Sequence, residues 1–304
     1  DLMGHIRAHQ GRYEEAIEHY NEAIAYARAN PPAASQASAS LVNLSASLQE
    51  LGRYDEALRT LRDVRPELVE IHGEPSLAVA RCDHSIAWMH QRLDDIDQAV
   101  ATMENAVAMI DASAVDAHPD SVSAFADLGL FYERVGRYEE SVRMQERALE
   151  QRLSLLGPDH PEILFSWSGL GNVYRRVDRD EDSERAFREA LRVISVAYPP
   201  DHPYEAFTRS NLAATLRILN RPDECIAEYE RSAAISIRID DHRAALSAYE
   251  NGAFALMLCE RNEQALAVAQ RAVDVKLLVL ELFLEVAMVG AWRTYYTSVS
   301  SDTR

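Results

Sequence analysis

Turn-forming, small and apolar residues recur along this chain at a nearly constant spacing. Residues that favour turns stand 41 or 42 residues apart at six positions, and a weaker seventh follows after 40: Gly11, Gly52, Asp94, Gly136, Asp178, Asn220 and Glu260. Five residues after each of these turns comes a small side chain: Ala16, Ala57, Ala99, Ser141, Ser183, Cys225 and Ala265. A short side chain at a fixed place lets two helices approach closely. Each period is therefore predicted to be a helix hairpin within a repeat array.

The second and fourth periods carry the fullest form of the motif, at residues 52–57 (GRYDEA) and 136–141 (GRYEES). A glycine turn, an aromatic residue and spaced small residues in this order resemble the tetratricopeptide repeat. The 42-residue length and the linker at 157–162 (GPDHPE) resemble the long repeats of kinesin light chains and of many bacterial regulators. The resemblance implies an all-α fold over residues 1–275, a right-handed α-α superhelix of about seven helix-turn-helix units.

Composition agrees with a helical chain, because 47% of the residues are hydrophobic and only 11 glycines and 11 prolines occur among 304. A repeat array grows without one closed core, so we expect one repeat domain over 1–275 followed by an extension at 276–304. The formal net charge of −18 repels nucleic acid phosphates and anionic membranes, and neither is expected as a partner. Lys276 is the single lysine among 31 basic residues, which is typical of a GC-rich bacterial genome and favours a cytoplasmic bacterial protein.

The C-terminal extension differs in character from the repeats. Residues 277–292 are mostly apolar, but Glu281 and Glu285 interrupt them, and the stretch is shorter than the roughly 20 apolar residues of a membrane span. We expect a capping helix here, with a frayed tail at 298–304. The alternative is a docking surface for another domain of the same polypeptide or for a second copy of the chain. The chain begins at Asp1 and not at Met, so we expect either a trimmed sequence or a piece of a longer protein.

Three His-Pro pairs suggest a catalytic or metal-binding site at first sight. His118, His160 and His202 are 42 residues apart, so a whole hairpin separates them and they cannot converge on one metal ion. Proline suits the first position of a helix, and Asp159 with Glu162 fits a capping box. The pairs are therefore predicted to start helices.

No other sequence pattern predicts a catalytic, metal or cofactor site. Cys82, Cys225 and Cys259 lack paired spacing and are expected to be buried, reduced thiols. The sequence contains no phosphate-binding loop, no His-Glu-x-x-His and no cysteine pair with zinc spacing. We predict no catalytic residue, no metal site and no cofactor, and the chain is not expected to be an enzyme.

The family resemblance implies where a ligand binds, because the first helices of successive units line a concave groove in this family. With the turn residue counted as position 15, the groove-facing positions are about 2, 5, 6, 9, 12 and 13. The candidate peptide- or protein-binding residues are Asn43, Arg81, His84, Trp88, Arg92, Arg134, Asn172, Arg175, Arg176, Asn211, Arg217 and Asn251.

These residue types fit an extended, acidic peptide. In related repeats, asparagines at such positions hold the peptide backbone, and nearby cations take its carboxylates; Arg175, Arg176 and Arg217 are the candidates here. Six arginines and four acidic residues occupy the groove positions, against the acidic excess of the whole chain. The alternative is that these arginines pair with acids on neighbouring helices. Apolar anchors of a partner would meet Trp88, Phe165 and Phe207.

Two functions are consistent with this pattern. The first is a scaffold that binds a peptide or partner protein in the groove. The second is a regulatory or sensor domain of a larger bacterial signalling protein, such as a STAND-type ATPase or a caspase-like CHAT protease, which the array holds inactive until a trigger binds. A third hypothesis is self-association through the C-terminal helix, which would cover the apolar surface at the end of the array.

Overall fold

The computed structural model describes residues 2–30, 34–113 and 118–278, and these residues form fourteen α-helices without a strand. The helices are α1 (Leu2–His9), α2 (Tyr13–Ala29), α3 (Ala34–Glu50), α4 (Tyr54–His72), α5 (Leu77–Arg92), α6 (Ile96–Ala112), α7 (Pro119–Arg134), α8 (Tyr138–Leu156), α9 (Pro161–Tyr174), α10 (Asp180–Ala197), α11 (Pro203–Ile218), α12 (Pro222–Arg238), α13 (His242–Leu258) and α14 (262–278). The predicted all-α solenoid class is confirmed.

Consecutive helices pack against each other in hairpins, and the chain divides into two compact blocks. The N-terminal block ends at Gly157 and holds α1–α8, and the C-terminal block begins at Pro158 and holds α9–α14. The extent of the repeat domain over 1–275 stays a prediction. Of the extension predicted at 276–304, residues 276–278 continue α14, and the rest of the expected capping helix and tail lies outside the described residues.

The repeated positions do in the structure what their spacing predicts. All seven turn residues adopt the left-handed conformation, with φ between 55° and 77°, which ends one helix and starts the next. Glu260 has a φ of 58° and turns the chain like the others, so the seventh turn is no weaker in geometry. The seven small residues five positions later are at most 4% exposed. Each therefore lies where two helices approach closely.

The prediction that the His-Pro pairs start helices is confirmed. Each histidine is an N-cap whose Nδ1 accepts a hydrogen bond, at 3.1 to 3.3 Å, from the backbone N–H two residues later: His118, His160 and His202. The predicted capping box of Asp159 with Glu162 is wrong. Because Pro161 takes the first helical position, the cap is His160, and Asp159 instead accepts a hydrogen bond from Arg192 at 2.6 Å.

An arginine follows every turn except the third, and the arginines after the fourth, sixth and seventh turns link neighbouring repeats. Arg137 Nη1 lies 2.8 Å from a carboxylate oxygen of Glu104 in the preceding repeat, and Arg221 Nη1 lies 2.5 Å from Glu184 in the same way. In the third repeat the charges are reversed, because Asp95 follows the turn and Arg62 stands one repeat earlier. His90 lies between these two, with Nε2 3.3 Å from Arg62 and Nδ1 3.5 Å from Asp95.

His90 makes the N-terminal block sensitive to acid. Its burial and the adjacent Arg62 lower the pKa of His90 below its ordinary value, although Asp95 opposes this shift. The unfolded chain then binds more protons than the folded chain, so stability is present above pH 6.5 and is lost as the pH falls through the folded-state pKa. We expect the wild type to lose more unfolding free energy between pH 7 and pH 5.5 than His90→Gln, in which no imidazole titrates. Urea titrations at both pH values measure the difference, and identical pH slopes would contradict it.

The cysteines are free thiols, of which Cys82 and Cys225 are buried as predicted. The predicted burial of Cys259 is wrong, because this residue caps the end of α13 and is half-buried. Among residues 2–30, 34–113 and 118–278, no helix combines the length and the apolar character needed to cross a bilayer. Cytoplasmic location stays a prediction.

Candidate functional site

The predicted binding residues lie on the first helices of the hairpins, in two sets that belong to different blocks. We call the exposed surface of α3, α5 and α7 in the N-terminal block, and of α9, α11 and α13 in the C-terminal block, the first-helix face of that block. The first set is Asn43 on α3, Arg81, His84, Trp88 and Arg92 on α5, and Arg134 on α7. The second set is Asn172 on α9, Arg175 and Arg176 in the 3₁₀ turn that follows it, Asn211 and Arg217 on α11, and Asn251 on α13.

The first-helix face of the N-terminal block contains a cavity of about 430 Å³. Its floor comes from second helices, through Leu61 and Leu68 of α4 and Ile110 of α6. Three first helices supply its polar lining: Asn43, Arg81, His84, Ser85, Asp120 and Ser123. The structure therefore brings three of the predicted residues together around one depression.

Two of the predicted residues in this block are joined to the same carboxylate. Trp88 donates its indole N–H to Oδ2 of Asp127 at 2.8 Å, and Nε2 of His84 lies 2.7 Å from the same oxygen. The Trp88 ring also meets Phe131 edge-on, with 5.3 Å between ring centroids. These contacts tie α5 to α7, so the polar atoms of Trp88 and His84 are already engaged within the protein.

The arginines of this block differ in how far their charge is neutralised. Arg81 lies 3.3 Å from Asp120 and Arg134 lies 3.8 Å from Asp94, as the alternative of neighbouring ion pairs predicts. Arg92 has no ion pair among the described residues, and its guanidinium carbon lies 5.9 Å from the ring centroids of both Tyr54 and Trp88. The cation of Arg92 is therefore held over aromatic rings and stays uncompensated.

Arg175 has no ion pair among the described residues of the C-terminal block. Its Nη2 donates to Oδ1 of Asn172 at 3.0 Å, while its Nε is buried and has no acceptor among the described residues. Its guanidinium carbon lies 5.8 Å from the centroid of the Phe187 ring. Burial, with the positive charges of Arg176 and Arg217 adding to it, lowers the pKa of Arg175. The positive charges of Arg176 and Arg217 are thus close enough to act on that of Arg175.

Asp180 is an acidic residue whose negative charge acts on Arg175. Asp180 stands two residues after its turn, where three other repeats have Tyr13, Tyr54 and Tyr138. Its Oδ1 is buried and has no donor among the described residues, and burial raises the pKa of Asp180, with Asp178 and Glu181 adding to the effect. The sequence shows that this repeat has Asp180 in place of the tyrosine. The repeat pattern does not predict that Asp180 acts on Arg175.

A second cavity, of about 390 Å³, lies between α11, α12 and α13. Two of its lining atoms, Nδ2 of Asn211 and Oγ of Ser236, are buried without a hydrogen-bond partner among the described residues. At its apolar side Phe207 is 61% exposed beside Tyr204, whose ring also meets Phe165 edge-on at 5.4 Å. Sequence reasoning missed Ser236, because it lies on a second helix and outside the positions counted for the groove.

Asn251 lies apart from the second cavity's lining, although it occupies the same repeat position as Asn211. Its Nδ2 donates to Oγ of Ser247, one turn earlier on α13, at 3.4 Å. Ser247 itself lines the cavity. Of the other predicted residues of this block, Asn211 lines the cavity, and Asn172, Arg175, Arg176 and Arg217 lie toward the turn ends of α9 and α11.

Comparison with known proteins identifies the repeat. The family model of the tetratricopeptide repeat matches residues 1–66, 35–112, 120–195 and 162–238, which together span more than half of the chain. A search of curated protein sequences found no significant match.

Several solved structures share the fold at low sequence identity. The kinesin light chain-like repeats of P. anserina have a TM-score of 0.58 and 20% identity, over 66% of this chain and 95% of that one. BtubC from P. vanneervenii has a TM-score of 0.62 and 16% identity, over 75% and 92%. The C-terminal part of a tetratricopeptide repeat protein from Cytophaga hutchinsonii has a TM-score of 0.64 and 13% identity, over 90% and 98%. With the matches of the family model, these similarities establish that the chain belongs to the tetratricopeptide repeat family.

Proposed function

We propose that this chain is a scaffold whose first-helix face in the C-terminal block binds an extended segment of a partner protein. Tetratricopeptide repeats serve in general as protein-interaction scaffolds, and the finer assignment concerns which face binds and through which residues. Asn43, Arg81, His84, Trp88, Arg92 and Arg134 remain candidates for a second contact surface in the N-terminal block. Arg81, His84, Trp88 and Arg134 are engaged with carboxylates of the same block, so we place the principal contacts on the C-terminal block.

The observation that carries this proposal is a contrast between the two helix layers of the C-terminal block. Every arginine on the second helices pairs with a carboxylate: Arg185, Arg188 and Arg192 on α10, Arg231 and Arg238 on α12, and Arg271 on α14. On the first helices, Arg209 of α11 pairs with Glu205 and Glu228, whereas Arg175 and Arg217 have no carboxylate partner among the described residues. Ion pairing thus saturates the second-helix surface and leaves the first-helix face with charge for a ligand.

The polar and apolar groups of the second cavity suit the same ligand. An extended segment presents backbone carbonyl and N–H groups, which match the unpartnered amide of Asn211 and the hydroxyl of Ser236. Its apolar side chain would cover Phe207, an exposed aromatic of the kind that anchors interfaces. A surface with a few such contacts gives modest affinity, because much of the gain is spent on ordering the segment.

The test uses capture of a partner followed by competition with its peptides. Once a captured protein has yielded a binding peptide, the double variant Arg175→Glu/Arg217→Glu is expected to weaken that peptide's affinity at least about thirtyfold, since charge-assisted hydrogen bonds become repulsions. The matched control Arg231→Glu reverses an exposed charge on α12 and should bind like the wild type. Far-UV circular dichroism checks that both variants are folded. Equal affinity of the double variant and the wild type would overturn the assignment.

A sensor domain of a larger signalling protein is the second candidate. A STAND protein from Pyrococcus horikoshii with a tetratricopeptide repeat sensor shares the fold, with a TM-score of 0.57 and 13% identity over 86% of this chain. The match covers 38% of that chain, so a sensor role here requires a neighbouring catalytic domain. Reading the flanking coding sequence for a phosphate-binding ATPase loop decides the matter, and a flank without any enzymatic domain would remove this candidate.

A further inference from the structure

We infer that the second cavity binds the primary carboxamide of an asparagine or glutamine side chain, through Nδ2 of Asn211 and Oγ of Ser236. The inference deepens the proposed function and rests on it, because it names the group of the bound segment that reaches these two atoms. The segment is therefore expected to be uncharged at this point, even if it carries acidic residues elsewhere.

The α12 side of the second cavity carries hydroxyl groups where other repeats carry apolar side chains. Ser236 stands sixteen residues after its turn, and four other repeats have buried apolar residues at that position: Ala27, Leu68, Ile110 and Ile194. Ser232 stands twelve residues after the same turn, where the other six repeats have alanine or valine. The sixth repeat thus departs from the apolar pattern at two positions that line the cavity.

Hydrogen bonds within the protein satisfy only part of this polar lining. Oγ of Ser232 donates to the backbone oxygen of Ala206 at 2.7 Å, and the hydroxyls of Ser210 and Ser232 lie 2.8 Å apart. Oγ of Ser236 and Nδ2 of Asn211 are buried and have no partner among the described residues. Buried polar groups without a partner are rare and cost free energy. Two of them in the lining of one cavity point to a ligand that completes their hydrogen bonds.

The cavity has an exposed wall and enough room for a side chain. Tyr204 and Phe207 of α11 and Ser247 of α13 line it and are exposed. Its volume of about 390 Å³ corresponds to about a dozen water molecules at about 30 Å³ each. The half-buried side chain of Asn211 can change rotamer and the hydroxyl of Ser236 can rotate, so both can turn toward an entering group without a backbone movement.

The lining favours a neutral group that both donates and accepts. Among the described residues it includes the carboxylate of Asp241 and no basic side chain, so an entering carboxylate would lose its hydration without gaining a cation. An apolar group would leave Asn211 and Ser236 unpartnered, and an ammonium group has no acceptor for the amide of Asn211. A primary carboxamide carries an acceptor and a donor side by side. It can accept from Asn211 and donate to Ser236 at once.

A side-chain carboxamide suits the two atoms better than a backbone peptide group. Because the peptide bond is trans, its C=O and N–H point in opposite directions, and one peptide unit cannot turn both into the same cavity. In a primary carboxamide, one N–H lies on the same side as the C=O. The backbone of the segment would then cross the mouth of the cavity, and the aliphatic carbons of the entering side chain would cover Phe207.

Propionamide and propionate test the cavity without a peptide, because they have the same shape and differ in charge. At constant ionic strength, propionamide should shift the side-chain amide resonances of Asn211 with a Kd on the order of 100 mM, as expected of so small a ligand. Propionate should bind at least about fivefold more weakly, and Ser236→Ala should weaken propionamide binding about fivefold. The matched control Ser195→Ala, at an exposed serine of the second helix α10, should leave it unchanged. Equal binding of both compounds, no binding of propionamide, or binding unaffected by Ser236→Ala overturns the inference.

Unfolding of the ligand-free protein separates a ligand-binding hydroxyl from a structural one. Ser236→Ala should leave the urea midpoint unchanged or raise it, because it removes a buried hydroxyl that has no partner. A lowered midpoint would show that Oγ of Ser236 already makes a hydrogen bond inside the protein, for example to a buried water, and would overturn the inference.

Peptides of a captured partner show whether the bound segment supplies the carboxamide. Replacing the asparagine or glutamine that enters the cavity by the corresponding acid should weaken binding to the wild type at least about tenfold. The same replacement should weaken binding to Asn211→Leu/Ser236→Ala by less than about twofold, since that variant has lost both contacts. A binding peptide in which no asparagine or glutamine matters overturns the inference.

The outcome for the proposed function is read separately. If the captured peptide requires Arg217 but none of its asparagine or glutamine side chains, the carboxamide site is wrong and the scaffold assignment stands. If propionamide binds through Ser236 but the captured peptide is insensitive to Arg175 and Arg217, the carboxamide site stands and the assignment of the two arginines fails.

Discussion

Arg65→Met is expected to lower the unfolding free energy of the N-terminal block by about 3 kcal/mol. Arg65 on α4 holds Asp83 on α5 with two hydrogen bonds, from Nε to Oδ1 at 2.6 Å and from Nη2 to Oδ2 at 2.9 Å. The Asp83 side chain is 5% exposed, whereas that of Arg65 is 34% exposed. Removing the arginine therefore leaves a carboxylate buried between two helices without its cation. Urea unfolding followed by circular dichroism measures the loss.

The double variant Arg65→Met/Asp83→Leu is the matched control for this result. It removes both charges and fills the space with apolar atoms, so it should recover most of the lost stability. Glu74, the other partner of Arg65 at 2.7 Å, is largely exposed and contributes little to the loss. A loss below about 1 kcal/mol in Arg65→Met, or a double variant less stable than the single one, would show that this pair does not tie α4 to α5.

The same pair shows where sequence analysis of a repeat protein succeeds and where it stops. The positions that recur in every repeat, such as the seven turns and the small residues after them, were predictable because seven copies report the same physical requirement. Asp83 occupies a position at which the neighbouring repeats have Leu41 and Phe125. Its role depends on Arg65, eighteen residues away on another helix, and no periodic pattern encodes that partner. The repeat therefore predicts the hairpins but not the individual charge pairs between them.

The candidate site also has features that the sequence predicted and features that it did not. Position numbering placed all twelve predicted residues on the first helices or at the turns that follow them. It did not reveal that Asp127 would engage His84 and Trp88, because a hydrogen bond across repeats depends on the side chain present in the next repeat. Nor did it reveal that Arg175 and Arg217 would lack carboxylates while every second-helix arginine of the C-terminal block has one among the described residues. Binding by any of the twelve residues stays a prediction for the experiments proposed above.

Ala99→Leu is expected to destabilise the N-terminal block by about 3 kcal/mol. Ala99 is the small residue that follows the third turn by five positions, and it is 0% exposed where α6 packs against α5. Its neighbours in the same core are large and fully buried, among them Met103 and Phe125. Three additional carbon atoms at this point have no space, so the two helices must separate or the neighbours must leave their preferred rotamers. Thermal and urea unfolding measure the change.

Ala101→Leu, two residues later on the same helix, adds the same atoms at an exposed position. It should change the unfolding free energy by less than about 0.5 kcal/mol, because surface substitutions away from special contacts have small effects. The comparison isolates steric crowding from helix propensity, since the same replacement is made in one helix. Equal stability of the two variants would mean that the helices of a hairpin can move apart at little cost. In that case the small residues would not enforce the 42-residue pattern, which would need another physical origin.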